Sequence, residues 1–254
     1  MKRLEGKVAV ITGGAGAIGQ ATARLFVQQG AQVLLTDLKE SALAQVAEQL
    51  GSDQVSYLPA DLTLNGEVQH LAQTAQDRYG QVDVLFANAG IEGEVKPIAE
   101  YPEEVFDQVL SINVKGVWLC LKHFMPVMGA QAGGSIIITS SIAGLQGTPG
   151  VSGYATSKHA VVGLMKVAAL EGGSQGIRVN TIHPAPVDNR MMRALEEKFA
   201  PGQGEAARAQ FTEQIPLQRY ATDDDVAQMA LFLGSDESKY ITGGQFTVDG
   251  GMSA

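Results

Sequence analysis

The sequence predicts a single α/β domain built on a doubly wound, seven-stranded parallel sheet with helices on both faces. Short β-branched apolar runs alternate with longer stretches of 3.6-residue periodicity, which is the pattern of repeated βαβ units. Runs such as residues 8–11 and 136–138 are continuously apolar, as expected for strands that helices cover on both sides. No linker rich in proline, glycine or serine divides the 254 residues, so one domain over residues 1–254 is predicted.

The elements follow from these patterns in chain order. Strands are predicted at residues 8–12, 33–36, 55–58, 82–87, 136–139, 179–182 and 246–248. Helices are predicted at residues 18–29, 41–50, 66–79, 102–128, 154–171 and 223–233. Residues 185–217, which we call the insertion, break this alternation and carry two short helical patterns at 191–199 and 205–214. Long insertions are commonly functional, and we expect this one to be a substrate lid.

Composition and charge exclude several classes of protein. A hydrophobic content of 45% with 18% charged residues is typical of a globular protein, and the net charge of −9 argues against nucleic-acid or anionic membrane partners. The single cysteine, Cys120, lies among apolar residues and is predicted to be a buried structural thiol, and we predict no metal site. The charged N-terminus is too short for a signal peptide and no apolar run approaches 18 residues, so we expect a cytoplasmic protein.

A glycine-rich turn follows the first predicted strand. It reads Thr12-Gly13-Gly14-Ala15-Gly16-Ala17-Ile18-Gly19 and runs directly into an amphipathic helix. A strand, a tight turn and a helix N-terminus in this order are what a pyrophosphate site requires, because backbone N–H groups and the helix dipole then face the phosphates. Without the flanking strand and helix, an ordinary turn would be the preferred interpretation.

An acidic residue ends the second predicted strand. Asp37 lies 18 residues after Gly19, where a carboxylate can accept hydrogen bonds from the adenosine ribose hydroxyls and repel a 2′-phosphate. Leu38 follows at a position where an NADP site would more readily carry arginine, so NAD is predicted over NADP. The alternative is that Asp37 is a solvated helix cap before Lys39.

A phenol and an ammonium group lie four residues apart in Tyr154-Ala155-Thr156-Ser157-Lys158, and therefore on one face of a helix. A phenol with a pKa of about 10 is a poor base at neutral pH. Lowering that pKa by about 3 units requires roughly 4 kcal/mol, which a close cation in a desolvated cleft can supply. Without further motifs, such a pair usually consists of exposed side chains with no catalytic role.

Taken together, the motifs resemble those of the classical short-chain dehydrogenase/reductase family over the whole chain, which implies a Rossmann-type fold. The matching elements are the glycine turn at 12–19, Asp61-Leu62, Asn88-Ala89-Gly90, Asn113, Ser140-Ser141, Tyr154 with Lys158, and Val248-Asp249-Gly250-Gly251.

The resemblance implies a role for each of four catalytic residues. Tyr154 would be the general acid or base on the substrate oxygen, and Ser141, preferred over Ser140 on spacing, would hydrogen-bond that oxygen. Lys158 would lower the pKa of Tyr154 and hold the nicotinamide ribose, and Asn113 would interrupt its helix to seat a water that relays protons.

The resemblance also implies the cofactor-binding residues. Asp61 and Leu62 would meet the adenine. The full predicted set is Gly13, Gly16, Ala17, Ile18, Gly19, Asp37, Leu38, Asp61, Leu62, Asn88, Ala89, Gly90, Tyr154, Lys158, Pro184, Val187 and Asn189.

Three positions depart from the family pattern. Ala17 stands where the family usually has glycine, and Ala185 stands in place of glycine after the sixth strand. Asn189 replaces the threonine expected near the nicotinamide carboxamide, a role for which its amide can still donate and accept.

The expected substrate pocket is mainly apolar. Its predicted residues are Ile91, Ile142, Leu145, Val151, Met191, Met192 and Leu195, which suit an apolar substrate with one secondary alcohol or ketone. A lid helix that rests on the core would explain the methionines equally well. Glu92 and Glu94 are interpreted as solvated loop charges, with selection of a polar or cationic substrate group as the alternative. His159 and His183 are interpreted as structural residues.

These expectations define an NAD(H)-dependent oxidoreductase that interconverts a secondary alcohol and a ketone. One alternative is a 3-oxoacyl-carrier-protein reductase, which the absence of Lys or Arg between Lys122 and Lys158 disfavours, since an acidic carrier would need basic docking residues. Another is an NAD-sensing module without turnover. The resemblance also implies a homotetramer or homodimer.

Overall fold

The core of the protein is one sheet of seven parallel strands, as predicted. The computed structural model describes residues 2–131 and 133–254. The strands lie in the order β3-β2-β1-β4-β5-β6-β7. Their bounds are β1 Val8–Thr12, β2 Gln32–Thr36, β3 Val55–Tyr57, β4 Val84–Ala87, β5 Gly134–Thr139, β6 Ile177–Pro184 and β7 Gln245–Val248.

Helices cover both faces of this sheet. They are α1 Ala17–Gln28, α2 Glu40–Leu50, α3 Asn65–Tyr79, α4 Glu103–Leu110, α5 Val117–Ala130, α6 Ser152–Gly172, α7 Arg190–Phe199, α8 Gly204–Glu213 and α9 Asp223–Gly234. The two short helical patterns of the insertion correspond to α7 and α8. None of the helices in the described part of the chain has both the length and the apolar character that crossing a membrane requires.

The single helix predicted at 102–128 is wrong in one respect, because a π-helical turn at Ser111–Gly116 divides it into α4 and α5. Such a turn inserts an extra residue into the helical repeat and is common at functional sites. Here it presents Asn113 to the backbone of Ile91, which satisfies both the donor and the acceptor of that residue. Periodicity alone does not reveal this contact.

Alternate side chains of each strand enter opposite layers of the core. Val10, Ile136 and Ile138 pack with α3, α5 and α6, whereas Ile11 and Ile137 pack with α1, α2 and α9. Cys120 is buried in the first of these layers, and burial raises the pKa of its thiol to about 12. The thiol is therefore protonated at neutral pH, which agrees with the structural role predicted for it.

The strand order fixes where a ligand can bind. β1 lies between β2 and β4, so the chain runs outward in opposite directions from the β1–β4 pair. In open α/β sheets a crevice opens at the carboxyl ends of the strands beside such a reversal. The glycine turn after β1 and Asn88 after β4 both lie at this edge.

Candidate active site

The glycine turn is shaped by close approach of backbone atoms. Gly13 has a φ of +64°, and a Cβ there would lie 2.9 Å from the Cα of Ala89. A Cβ on Gly19 would lie only 2.2 Å from the carbonyl oxygen of Gly13, so the turn requires glycine at both positions. Gly13, Gly16, Ala17 and Ile18 line the cleft, whereas Gly19 supports the turn without lining it.

The N-terminus of α1 opens into this cleft. Its N-cap residue, Gly16, has no side chain, so no side-chain oxygen occupies the first amides of the helix. Those amides and the positive end of the helix dipole are therefore available to bind an anion. The turn itself contributes no basic side chain to this site. The extra methyl of Ala17 is accommodated at the first position of the helix.

Asp37 lies at the rim of the cleft directly after β2. Its carboxylate accepts hydrogen bonds from the amides of Ala15 (3.2 Å) and Leu38 (2.8 Å). The N-cap of α2 is Lys39, so the alternative in which Asp37 caps that helix is not what the structure shows. Leu38 is largely exposed at the same rim.

Polar side chains join the ends of β1, β4 and β5. The hydroxyl of Thr12 accepts from the amides of Asn88 (3.0 Å) and Ala89 (3.1 Å), and Thr139 donates to the side-chain oxygen of Asn88 (3.1 Å). Asn88, Ala89 and Gly90 line the cleft, as do Asp61 and Leu62 from the loop after β3.

Asn113 is buried behind the cleft rather than lining it. Its side-chain oxygen accepts from the amide of Ile91 (2.9 Å), and its amide nitrogen donates to the Ile91 carbonyl (2.9 Å) and to the hydroxyl of Ser157 (3.0 Å). These bonds fix the loop after β4 to the start of α6. The predicted role of Asn113 in seating a water remains a prediction.

Tyr154, Lys158 and Ser141 meet at the centre of the cleft. The ammonium of Lys158 donates to the carbonyl of Thr139 (2.8 Å) and lies 5.4 Å from the centre of the Tyr154 ring. Ser140 donates to the carbonyl of Lys158 (2.9 Å), so its hydroxyl is committed to α6. Ser141 is then the hydroxyl next to Tyr154, which supports the choice of Ser141 over Ser140.

The pKa values of Tyr154 and Lys158 are shifted in opposite directions. Burial raises the pKa of Tyr154 to about 12, with a smaller opposing effect from the Ser141 hydroxyl and a further increase from Glu92. Burial also lowers the pKa of Lys158 to about 8. Burial is the largest effect on the phenol, and the lowering of the Tyr154 pKa by Lys158 remains a prediction. Tyr154 is therefore a neutral phenol at pH 7.

His183 hydrogen-bonds to the backbone of Ser141. It is fully buried on β6, where one ring nitrogen pairs with the Thr181 hydroxyl (2.8 Å) and the other with the Ser141 carbonyl (2.9 Å). Burial lowers its pKa, so the neutral ring is favoured. His159 pairs instead with the Ala155 carbonyl on an exposed face of α6. Both arrangements agree with the structural roles predicted for them.

The whole cleft measures about 1650 Å³. Of the residues predicted for the substrate pocket, six line it: Ile91, Ile142, Val151, Met191, Met192 and Leu195. Leu145 does not, because it follows the short helical turn at Ile142–Gly144 and is more than a third exposed. Sequence reasoning missed the lining residues Gln146, Phe199, Gln210, Phe211, Gln214 and Met252. Gln210, Phe211 and Gln214 lie on or beside α8, so the helical pattern predicted at 205–214 was the signal that could have identified them.

Comparison with known proteins identifies the family. The family model described as enoyl-(acyl carrier protein) reductase matches residues 13–253. The 3-oxoacyl-[acyl-carrier-protein] reductase of Thermotoga maritima is 38% identical over 253 residues, which cover 98% of this chain and 99% of that protein. The crystal structure of levodione reductase matches with a TM-score of 0.95 at 33% identity and covers 99% of both chains. That of NAD⁺-bound xylitol dehydrogenase matches with a TM-score of 0.92 at 30% identity, covering 98% of this chain and 100% of that one. The chain belongs to the classical short-chain dehydrogenase/reductase family.

Short-chain dehydrogenase/reductases bind a nicotinamide cofactor, and the residues of this cleft fit one. The backbone of the glycine turn and the N-terminus of α1 line the cleft where a pyrophosphate would bind, and Asp37 places a carboxylate at the rim beyond them. Among residues 2–131 and 133–254, no cluster of three or more His, Cys, Asp or Glu side chains is placed to hold a metal ion.

Asn189 is where this short-chain dehydrogenase/reductase departs most from the expected contacts. Pro184, Val187 and Asn189 all line the cleft. The side-chain oxygen of Asn189, however, accepts from the amides of Met191 (3.1 Å) and Met192 (3.3 Å), and its nitrogen donates to Asp223 (3.0 Å). Asn189 therefore caps α7 and joins it to α9, while its contact with the carboxamide remains a prediction.

Proposed function

We propose that the protein is an NAD(H)-dependent oxidoreductase that interconverts a secondary alcohol and a ketone on a mainly apolar small molecule. The observation that carries this proposal is the Tyr154 phenol beside Ser141 and Lys158, in a cleft that is also lined by Asp37 and by apolar side chains of the insertion. Oxidoreductase activity of the short-chain type is given by the family. The proposal adds the cofactor preference and the substrate class.

A nicotinamide cofactor held by the glycine turn and the rim at Asp37 would supply a hydride to the carbonyl carbon or accept one from the carbinol carbon. During reduction, Tyr154 donates its phenolic proton to the substrate oxygen, and the Ser141 hydroxyl donates a hydrogen bond to the same oxygen. For oxidation, the phenol first releases its proton to solvent, and the tyrosinate then accepts the hydroxyl proton of the alcohol. Lys158, whose ammonium is held by Thr139, supplies the positive charge that stabilises the tyrosinate while the proton is away.

The preference for NAD follows from the charge at the rim. The carboxylate of Asp37 can accept hydrogen bonds from ribose hydroxyls and repels a 2′-phosphate, and the exposed Leu38 beside it offers that phosphate no cation. Lys39 lines the same rim and is the group that could offset this repulsion. The similarity to NAD⁺-bound xylitol dehydrogenase supports NAD.

The substrate class follows from the insertion acting as a lid. α7 and α8 bring Met191, Met192, Leu195, Phe199 and Phe211 to the cleft, which Ile142 and Val151 also line. These side chains favour an apolar substrate body. The glutamines at 146, 210 and 214 add neutral hydrogen-bonding groups, so polar substituents without charge are compatible with the site.

We further propose a cytoplasmic homo-oligomer, a tetramer or a dimer. α5 and α6 expose the large apolar side chains of Trp118, Val167 and Leu170, which a partner subunit would cover. The buried thiol of Cys120 is compatible with a reducing compartment.

The test is an initial-rate comparison of NAD⁺ and NADP⁺ with 2-butanol, cyclohexanol and 1-phenylethanol, alongside a 3-oxoacyl thioester with NADH and NADPH. We expect turnover with NAD⁺ that increases with the apolar bulk of the alcohol. Tyr154→Phe should reduce kcat by at least about 10³-fold while NADH binding, followed by fluorescence, is retained.

Two results would replace the proposal with an alternative. Activity confined to the thioester would favour the carrier-protein reductase, for which the similarity to the Thermotoga maritima enzyme is the supporting observation. NADH binding without turnover of any compound would favour the sensing module.

A further inference from the structure

The two ends of α7, the helix that covers the substrate side of the cleft, are held in different ways. At its N-terminal end, the Asp188 carboxylate bonds both Arg193 and Arg208. Asn189 caps the helix and donates to Asp223 on α9 (3.0 Å). Several polar contacts therefore fasten this end to α8, to α9 and to the segment that follows β6.

The C-terminal end of α7 is joined to α8 by the packing of the Phe199 ring on the Phe211 ring (5.4 Å between centroids), and to the loop across the cleft by Lys198. The ammonium of Lys198 donates to the carbonyl of Gly93 (2.7 Å) and to the carboxylate of Glu94 (3.2 Å). We call these two contacts the Lys198 bridge. Phe199, the next residue, lines the cleft and lies 3.8 Å from the position that a Cβ on Gly150 would occupy. The bridge thus closes α7 against the facing loops.

The loop that receives the bridge is rigidly attached next to the proton donor. The amide of Glu94 donates to the hydroxyl of Tyr101 (3.1 Å), and Gly93, with a φ of +71°, passes so close to this hydroxyl that a Cβ would clash at 2.5 Å. A Cβ on Gly153, the residue before Tyr154, would meet the same hydroxyl at 2.9 Å. Tyr101 therefore joins the loop to the start of α6.

These contacts connect Lys198 to the position of Tyr154. Because Tyr101 attaches the receiving loop beside the start of α6, the Lys198 bridge links α7 to the helix that carries Tyr154. With the N-terminal end of α7 fastened, loss of the bridge would leave the C-terminal end attached to α8 but not to the loop across the cleft. The cofactor end of the cleft, at Asp37 and the glycine turn, has no contact with the bridge.

We propose that Lys198 is a positioning residue that holds α7 over the substrate and so determines the KM for the alcohol or ketone, without contacting the reacting atoms. This inference rests on the proposed function for its kinetic part. The structural part, that the Lys198 bridge joins α7 to the loop across the cleft, stands independently of which substrate is used.

The test compares Lys198→Met with Lys198→Arg and Glu94→Gln. Methionine keeps the apolar stem and removes both bonds, arginine keeps the charge, and Glu94→Gln leaves the bond to the Gly93 carbonyl. We expect hydrogen–deuterium exchange of amides 195–199 to be at least fivefold faster in Lys198→Met, with exchange in α9 unchanged. For the panel alcohol with the highest kcat/KM, KM should rise fivefold to tenfold while kcat and the NADH dissociation constant stay within twofold.

The controls separate positioning from general destabilisation. Lys198→Arg should restore most of the KM, and Glu94→Gln should change it less than threefold. Unchanged exchange and KM in Lys198→Met would overturn the proposal, as would a loss confined to NADH binding or to kcat. If the wild-type enzyme turns over no alcohol of the panel, the proposed function fails, and the exchange experiment alone decides whether Lys198 holds α7.

Discussion

Replacing Lys158 by methionine is expected to stabilise the fold at pH 7 while it abolishes turnover. Burial lowers the pKa of this lysine from 10.5 to about 8, a shift that corresponds to about 3 kcal/mol of unfavourable free energy for the buried ammonium. Removing the charge relieves that cost. The Thr139 carbonyl, however, loses its hydrogen-bond donor, which costs about 1–2 kcal/mol of stability. The net stabilisation is about 1–2 kcal/mol, or roughly 2–6 °C in Tm for a chain of this size.

The sign of this effect depends on pH. Because the pKa of Lys158 is lower in the folded state, the unfolded chain binds more protons between pH 8 and 10.5. The stability of the wild-type protein relative to the variant therefore rises with pH across this window. The advantage of Lys158→Met at pH 7 should shrink above pH 8 and reverse near pH 10.

The assay is guanidinium chloride unfolding of both proteins at pH 7 and pH 10. Lys166→Met is the matched control, since Lys166 is an exposed lysine of the same helix and its replacement should change the free energy of unfolding by less than about 0.5 kcal/mol. A Lys158→Met variant that is less stable than the wild type at pH 7, by an amount that does not vary with pH, would refute the reasoning.

Two further predictions concern the cofactor end. Gly19→Ala should destabilise the protein by about 3 kcal/mol or more, because its Cβ would lie 2.2 Å from the Gly13 carbonyl oxygen; a denaturation midpoint equal to that of the wild type would contradict the close approach. Asp37→Ala should raise the ratio of kcat/KM for NADP⁺ to that for NAD⁺ by at least about 50-fold, because the repulsion of the 2′-phosphate is lost. Parallel initial rates measure this ratio. An unchanged ratio would mean that another residue of the rim determines the cofactor preference.

The sheet and the glycine turn could be predicted because their physical requirements are local. Continuously apolar runs such as 136–138 need helices on both faces, and the turn before α1 needs glycine for its own backbone contacts. The family resemblance predicted that Asn113 interrupts its helix, but periodicity did not predict the π-helical turn at Ser111–Gly116, where Asn113 bonds to Ile91, 22 residues away.

The cleft was harder to predict for the same reason. Leu145 looks like its apolar neighbours in the sequence, but the turn at Ile142–Gly144 directs it to the surface. The rise in the pKa of Tyr154 depends on burial by the whole fold, which the spacing to Lys158 does not reveal. The commitment of Asn189 to α7 and Asp223 likewise requires elements far apart in the chain to be in place.

The burial of Cys120 has a practical consequence for following the insertion in solution. Only the thiolate reacts with maleimides and similar reagents, and this thiol is both inaccessible and protonated at neutral pH. A cysteine introduced on an exposed face of α7 or of the loop after β4 would then be the sole reactive position. A fluorophore or spin label placed there would report the distance across the cleft in otherwise unaltered protein, with no background from the native sequence.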